Sequence, residues 1–292
     1  MPRLGAHLSI AGGLPRALDR AKASKCEALQ VFTKSAGQWR ARELPDDEVS
    51  QFRSQREALG IPVIAHNSYL INVAAAEPVL RARSIEALGA ELDRAERLGL
   101  DGLVMHPGSY TNGTEQQGLQ LIAQALAALL RERPAQRVKI LLEHTAGQGT
   151  NLGHRFEHLA AILDRLDGSP RVGVCLDTCH LLAAGYDLCS EAGYVSTFRD
   201  FDRLVGIGRL AAFHVNDSKK PCGSRVDRHE HIGKGCLGLE PFRRILNDRR
   251  FANLPMVLET PKLDTPESRR KSDADPWDLR NLRTLRKLIE TV

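Results

Sequence analysis

Six short apolar runs in this chain end in a side chain able to bind a metal ion: His66, His106, Glu143, Asp177, His214 and Glu259. They follow one another about 40 residues apart, roughly one strand and one helix each time. Three imidazoles and three carboxylates gathered in one place need metal or hydrogen bonds to satisfy them. Three more candidates flank the set. His180 lies just past its strand in Asp177-Thr178-Cys179-His180, and Asp227-Arg228-His229 sets two ligand types two residues apart, a spacing that aims both to one face of an extended segment. Nine ligands exceed the three or four that one tetrahedral ion takes and suit a cluster of two or three ions. Imidazole mixed with carboxylate favours zinc, with manganese or iron as substitutes, over magnesium or calcium. Cys179 is left out of the set, since its neighbours already supply the charge.

The elements that must carry these residues are legible as eight apolar runs: Leu4–Leu8, Ala28–Phe32, Pro62–His66, Gly102–His106, Val138–Glu143, Val172–Asp177, Ala211–Val215 and Pro255–Glu259. Helical periodicity falls between them, near 13–23, 46–58, 77–98, 115–132, 155–166, 194–207, 240–249 and 276–290. Asp275-Pro276 supplies a cap followed by proline at the first helical position, with Leu279, Leu282, Leu285 and Ile289 as the buried stripe. Gly60 and Gly99 stand where helices should end. Strand then helix, eight times, is the pattern of a single (β/α)8 TIM barrel, an α/β fold occupying 1–292 as one domain. A doubly wound open sheet is the alternative. In a barrel the strand-end ligands meet at the C-terminal rim, where such folds build active sites.

At 292 residues, 42% hydrophobic and 26% charged, the chain can bury one large core, and no biased stretch marks a linker or disordered tail. No run approaches the roughly 18 apolar residues of a membrane span, and the first residues show no apolar leader, so a soluble, cytoplasmic protein is expected. The six cysteines include no Cys-x-x-Cys pair and are expected to be reduced and mostly buried. A net charge of +5 permits a polyanionic partner without requiring one. Gly147, Gly149 and Gly153 do not form a dinucleotide or Walker loop, which argues against a nucleotide cofactor.

Longer motifs add a resemblance. Gly5-Ala6-His7-Leu8-Ser9, Phe32-Thr33-Lys34, His66-Asn67-Ser68-Tyr69-Leu70-Ile71-Asn72, His106-Pro107-Gly108-Ser109, Asn151-Leu152-Gly153, Gly173 to His180 and Gly223 to His229 resemble the endonuclease IV family of apurinic/apyrimidinic (AP) endonucleases. The similarity runs from Gly5 to Glu259. It implies a barrel holding three zinc ions, with His66 and His106 on one ion and Glu143 bridging to a second. Asp177, His214 and Glu259 complete the second site, and His180, Asp227 and His229 hold the third. The implied reaction is hydrolysis of the phosphodiester 5′ to an abasic site in duplex DNA, leaving a 3′-hydroxyl and a 5′-deoxyribose phosphate, with removal of blocking groups from damaged 3′ ends. Glu143 would position the attacking water between two ions, and Glu259 would orient or deprotonate it.

The same resemblance assigns DNA binding to the early rim loops. Lys34, Gln38 and Trp39 supply charge and an aromatic, and Tyr69 and Leu70 an apolar wedge for the gap left in the base stack; apart from the resemblance, the charge of Arg228 in the seventh loop suits a phosphate contact. Position 37 departs from the pattern: Gly37 stands where family members carry an arginine that enters the stack. His144, next to Glu143, points to the opposite face of its strand and is left out of the metal site. The competing enzymatic reading is a metal-dependent sugar isomerase or epimerase. It accounts for Glu143, Asp177, His214 and Glu259 but not for His66 or Asp227-Arg228-His229. A monomer is expected, as is a lack of membrane association.

Overall fold

The computed structural model describes residues 1–263 and 274–290. Eight parallel strands close into a barrel: β1 (Arg3–His7), β2 (Ala28–Phe32), β3 (Val63–His66), β4 (Gly102–Met105), β5 (Lys139–Glu143), β6 (Val172–Asp177), β7 (Leu210–His214) and, after a two-stranded ribbon of β8 (Asp217–Ser218) and β9 (His229–Glu230), β10 (Pro255–Leu258). Each strand pairs with its sequence neighbour in the barrel, and β1 pairs with β10 to close the ring, Leu4 opposite Met256 and Ala6 opposite Leu258. The strands are apolar on both faces because one side meets the outer helices and the other fills the barrel.

The outer helices are α1 (Leu14–Ala23), α2 (Asp46–Leu59), α3 (Pro78–Leu98), α4 (Glu115–Glu132), α5 (Phe156–Asp164), α6 (Thr178–Ala184), α7 (Glu191–Leu204), α8 (Glu240–Asn247) and α9 (Pro276–Arg286). Gly60 and Gly99 end α2 and α3 at φ 62° and 69°, a left-handed turn that a side chain would strain. Asp275 caps α9 by accepting from the amides of Trp277 and Asp278. Two differences from the expected elements have clear causes. Helix α7 starts at 191 instead of 194 because Ser190 caps it, its hydroxyl accepting from the Gly193 amide. Helix α6, which is not among the expected elements, starts where the Asp177 carboxylate accepts from the His180 amide at 2.9 Å.

Inside the barrel, Ile64, Val104, Leu141, Cys175, Ala212 and Val257 form one apolar layer. Side chains two residues apart on a strand share a face, so the next inward positions toward the C-terminal end are 66, 106, 143, 177, 214 and 259. The barrel therefore delivers the six strand-end ligands as one layer stacked on an apolar floor. The cysteines are less buried than expected: Cys175 and Cys179 are enclosed, whereas Cys189, Cys222 and Cys236 lie exposed in rim segments.

Candidate metal centre and active-site cleft

Among the described residues, the inward layer and the adjoining loops bring ligand atoms together in four groups: His66, His106 and Glu143; Glu143, Asp177, His214 and Glu259; His180, Asp227 and His229; and Asp177, Cys179 and His229. Glu143 belongs to two of them through different oxygens. Its Oε2 lies 2.9 Å from His66 Nε2 and 3.2 Å from His106 Nε2, while its Oε1 lies 2.9 Å from His214 Nδ1. His214 Nδ1 is also 3.2 Å from Glu259 Oε2 and 3.8 Å from Asp177 Oδ2. In the third group Asp227 reaches His180 Nε2 at 3.1 Å and His229 Nε2 at 3.3 Å. These two nitrogens are buried and close to oxygen, yet neither has a well-directed hydrogen bond. Buried donor atoms that converge without bonding one another, as in this third group, and imidazoles packed around one carboxylate, as in the first two, suit metal ions, so the residues fit the metals that the resemblance implies. Cys179 lies within the same reach of Asp177 and His229, but burial pushes its thiol up to about 12, which disfavours the thiolate that would bind.

The second ring nitrogens are held as well. His66 Nδ1 donates to the Asn67 carbonyl at 2.9 Å, His180 Nδ1 to the His144 carbonyl at 2.8 Å and His229 Nδ1 to the Glu259 carbonyl at 3.1 Å. His144 itself is buried against Phe156 and Tyr186, away from the cluster, and contributes only its main chain. Two residues outside the expected set support the ligands. Asn216 donates to Asp177 Oδ2 at 2.6 Å and accepts from the Glu259 amide at 2.7 Å. Gln30, in the middle of β2, reaches both His214 and Glu259.

Charge in this layer is strongly coupled. Burial works against the Glu143 carboxylate, yet His214 and His106 outweigh it and hold the group well below the usual carboxylate range. Glu259 is held low in the same way, by His214 and His7 against burial. Burial also opposes charge on Asp227, but His180 and His229 bring it down to about 2. His180 moves the other way: burial disfavours its cation, and Asp177 and Asp227 still raise it well above its ordinary value.

A cleft of about 590 Å³ opens over the groups, lined by His66, His106, His180, Asp227, His229 and Glu259 together with His7, Phe32 and Tyr69. Cavities of similar size at the opposite end of the barrel are lined by Arg3, Arg53, Arg56 and Lys139 and hold no convergent ligands, so volume does not identify the site. At the rim, Tyr69 is 72% exposed, with its ring 5.5 Å from Phe32, and Leu70 beside it is half-buried. Gln38 and Arg228 are exposed. Trp39 is half-buried under the Arg83 guanidinium at 4.3 Å. Lys34 is turned inward: its ammonium bonds the Gln38 carbonyl at 2.6 Å and lies 3.3 Å from Glu91, which accepts from the Ser68 amide at 3.1 Å. It ties the loop after β2 to the loop after β3 instead of standing free at the surface.

Fold and ligand geometry together define a TIM barrel whose rim gathers metal-competent side chains around one shared carboxylate, and a family profile described as xylose isomerase-like TIM barrel matches residues 18–287. Among curated relatives, a probable endonuclease 4 of Chloroflexus aurantiacus is 49% identical over 263 residues, covering 90% of this chain and 92% of that protein. Another, from Geobacter sp. strain M21, is 48% identical over 291 residues, 99% of this chain and 100% of the relative. The crystal structure of endonuclease IV from Thermus thermophilus superposes with a TM-score of 0.84 at 38% identity, covering 98% of both chains. The chain belongs to the endonuclease IV family of AP endonucleases within the xylose isomerase-like barrels. It is a DNA-repair nuclease by that membership. An L-ribulose 3-epimerase structure aligns with a TM-score of 0.70 at 16% identity, which shows the shared barrel and nothing of the chemistry. Among the described residues no helix is long and apolar enough to cross a membrane.

Proposed function

We propose that this protein, as a single-domain monomer, holds three zinc ions and hydrolyses the phosphodiester 5′ to abasic sites in duplex DNA, leaving a 3′-hydroxyl and a 5′-deoxyribose phosphate. The same site would release blocking groups from damaged 3′ ends. The observation that carries the reading is the third ligand group, His180, Asp227 and His229, set beside the two groups that share Glu143. A sugar isomerase or epimerase working with one or two ions has no use for it.

Bound zinc supplies Lewis acidity, making water acidic enough to attack at neutral pH and offsetting charge on the phosphate and the departing 3′ oxygen. His66 and His106 with Glu143 Oε2 would hold one ion, Glu143 Oε1 with Asp177, His214 and Glu259 the second, and His180, Asp227 and His229 the third. Glu143 fixes the spacing of the first two groups because one rigid carboxylate serves both. Glu259, ionised and facing the cleft, would orient the attacking water and accept its proton. No covalent nucleophile is needed. At the rim, an abasic nucleotide is extruded at low cost because it has no base to unstack, and Tyr69 with Leu70 would fill the gap. Gln38, Trp39 and Arg228 would contact the flanking backbone, with Lys34 holding the first of these loops in place.

The test is incubation of zinc-loaded protein with a duplex carrying one tetrahydrofuran abasic analogue, which cannot undergo β-elimination. A single cut on its 5′ side, absent from undamaged duplex and lost in His229→Ala, supports the proposal. Tight binding without a cut, with zinc content confirmed, would make the protein a lesion sensor. Glu259→Gln, assayed at zinc concentrations that restore full metal content, separates the water-handling role from ligation: loss of turnover is expected, and full turnover refutes that role.

A further inference from the structure

Four histidines of the ligand groups turn one ring nitrogen into the cluster and bond an oxygen with the other. For His66, His180 and His229 that oxygen is a main-chain carbonyl, which no side-chain replacement removes. His214 differs. Its Nε2 lies 2.8 Å from Gln30 Oε1, so its Nδ1 is the atom facing Glu143, Asp177 and Glu259.

Gln30 is fully buried in β2 and turns its amide into the barrel. The orientation of that amide is fixed by its partners. The Glu259 carboxylate only accepts, and its Oε1 lies 2.5 Å from Gln30 Nε2, so this end carries the two hydrogens. The same Nε2 lies 2.9 Å from His7 Nδ1, which is itself 3.2 Å from Glu259 Oε1. The other end is then the carbonyl, which accepts from His214, and His214 must carry its hydrogen on Nε2. With Nε2 spent on Gln30, Nδ1, 2.9 Å from Glu143 Oε1, is the nitrogen that would turn to an ion. A buried glutamine is costly unless both ends are bonded, and here both ends are spent on ligands of one group.

We propose that Gln30 is a positioning residue for the group of Glu143, Asp177, His214 and Glu259: one amide fixes the His214 tautomer and the Glu259 rotamer together, and so sets how tightly that group holds its ion. This rests on reading the four residues as a metal site, as above. The three neighbouring histidines have carbonyl supports and do not depend on it.

Gln30→Met keeps the length of the side chain and removes both hydrogen bonds. Zinc titrated into metal-free protein against a chromogenic chelator should show one ion held about 10–100-fold more weakly than in the parent and the others unchanged. Long-range ¹H–¹⁵N correlation of the zinc-loaded parent should show His214 protonated at Nε2 and bound through Nδ1, with that signature lost in the variant. On an abasic duplex kcat should fall while KM holds, because Gln30 lies beneath the ligands and touches no substrate. Parental affinity for every ion in Gln30→Met overturns the proposal. A zinc-loaded parent with the His214 hydrogen on Nδ1 also overturns it, and that result does not depend on the variant folding. Affinity and tautomer are read without any cleavage, so failure here is distinct from failure of the abasic-site activity.

Discussion

Asp217 offers the sharpest test of how the third ligand group is held. This buried carboxylate accepts four main-chain amides: Ser218 at 2.7 Å, Leu237 at 2.9 Å, and Gly233 and Gly235 at 3.0 Å each. Those amides bracket the loop that carries Asp227 and His229, so Asp217 is the knot that closes it. In Asp217→Asn the single amide oxygen can serve at most two of the four donors, and the new NH₂ faces the others. Two buried N–H groups left unpaired cost about 1–3 kcal/mol each. Removing the buried charge recovers part of this, because burial has already raised the Asp217 pKa against the pull of the amides. A net loss of ~3 kcal/mol is expected, a fall in Tm of about 6 °C for a chain of this size. Thermal melting of metal-free parent and variant reads the first effect, and zinc content after dialysis reads the second: one ion should leave before the others. A variant that melts within about 1 °C of the parent with full zinc retention refutes the reasoning.

Three further outcomes follow from the same geometry. His66, His180 and His214 have raised pKa values, so their contribution to stability is full below about pH 6.5 and is lost as pH rises through the folded values; Glu143 and Glu259 have lowered ones, and their contribution is present above about pH 4.5 and is lost on acidification. The buried His7, His144 and His158 have lowered pKa values and pull the other way, so the clean readout is the Tm gain on adding zinc, which should grow as pH rises from 5 to 8 because ions and protons compete for the same nitrogens; a gain that is flat or falls over that range contradicts this. Lys34→Met strands the buried Glu91 carboxylate and should cost about 3–5 kcal/mol, most of it recovered in Lys34→Met with Glu91→Leu, as denaturant melts of both would show. If the exposed Tyr69 ring fills a gap in the base stack, as proposed, Tyr69→Ala should weaken binding of an abasic duplex by roughly tenfold and leave undamaged duplex unaffected, measured by fluorescence anisotropy.

Much of the barrel and its ligand layer is legible in residue spacing alone. Ile64 and His66, Val104 and His106, Leu141 and Glu143 are pairs two residues apart, and the period of a strand puts each pair on one face, so the ligands announce the barrel's inner layer. Asp227 and His229 follow the same spacing. What spacing does not reveal is set by tertiary partners. Gln30 sits in an apolar run as one polar residue, and only the fold reveals that its bonds go to His214 and Glu259; its place as a lone polar residue in a doubly covered strand is the available signal. Lys34 has the type of a phosphate contact but is enclosed by Glu91, which lies far off in sequence on α3. Helix α6, absent from the expected elements, has signals of its own, since Asp177 is a capping residue and Gly185 adopts φ 105° at its end. The expected α9 stripe is only partly buried: Leu282 and Leu285 are enclosed with the polar Asp278 and Asn281, the former paired with Lys262 at 2.5 Å.

The seam between β1 and β10 has a consequence for the order in which this protein comes into being. Glu259 follows β10 directly, and His7 and Gln30, which brace it, come from the first two strands. A nascent chain still lacking its last strand has nearly every other ligand in hand but no closed ring to aim them. On the proposed reading, metal would not seed this fold as it seeds a small finger domain but would be taken up by a barrel that had already shut. Metal uptake during synthesis would then be a clock that reads the moment of closure.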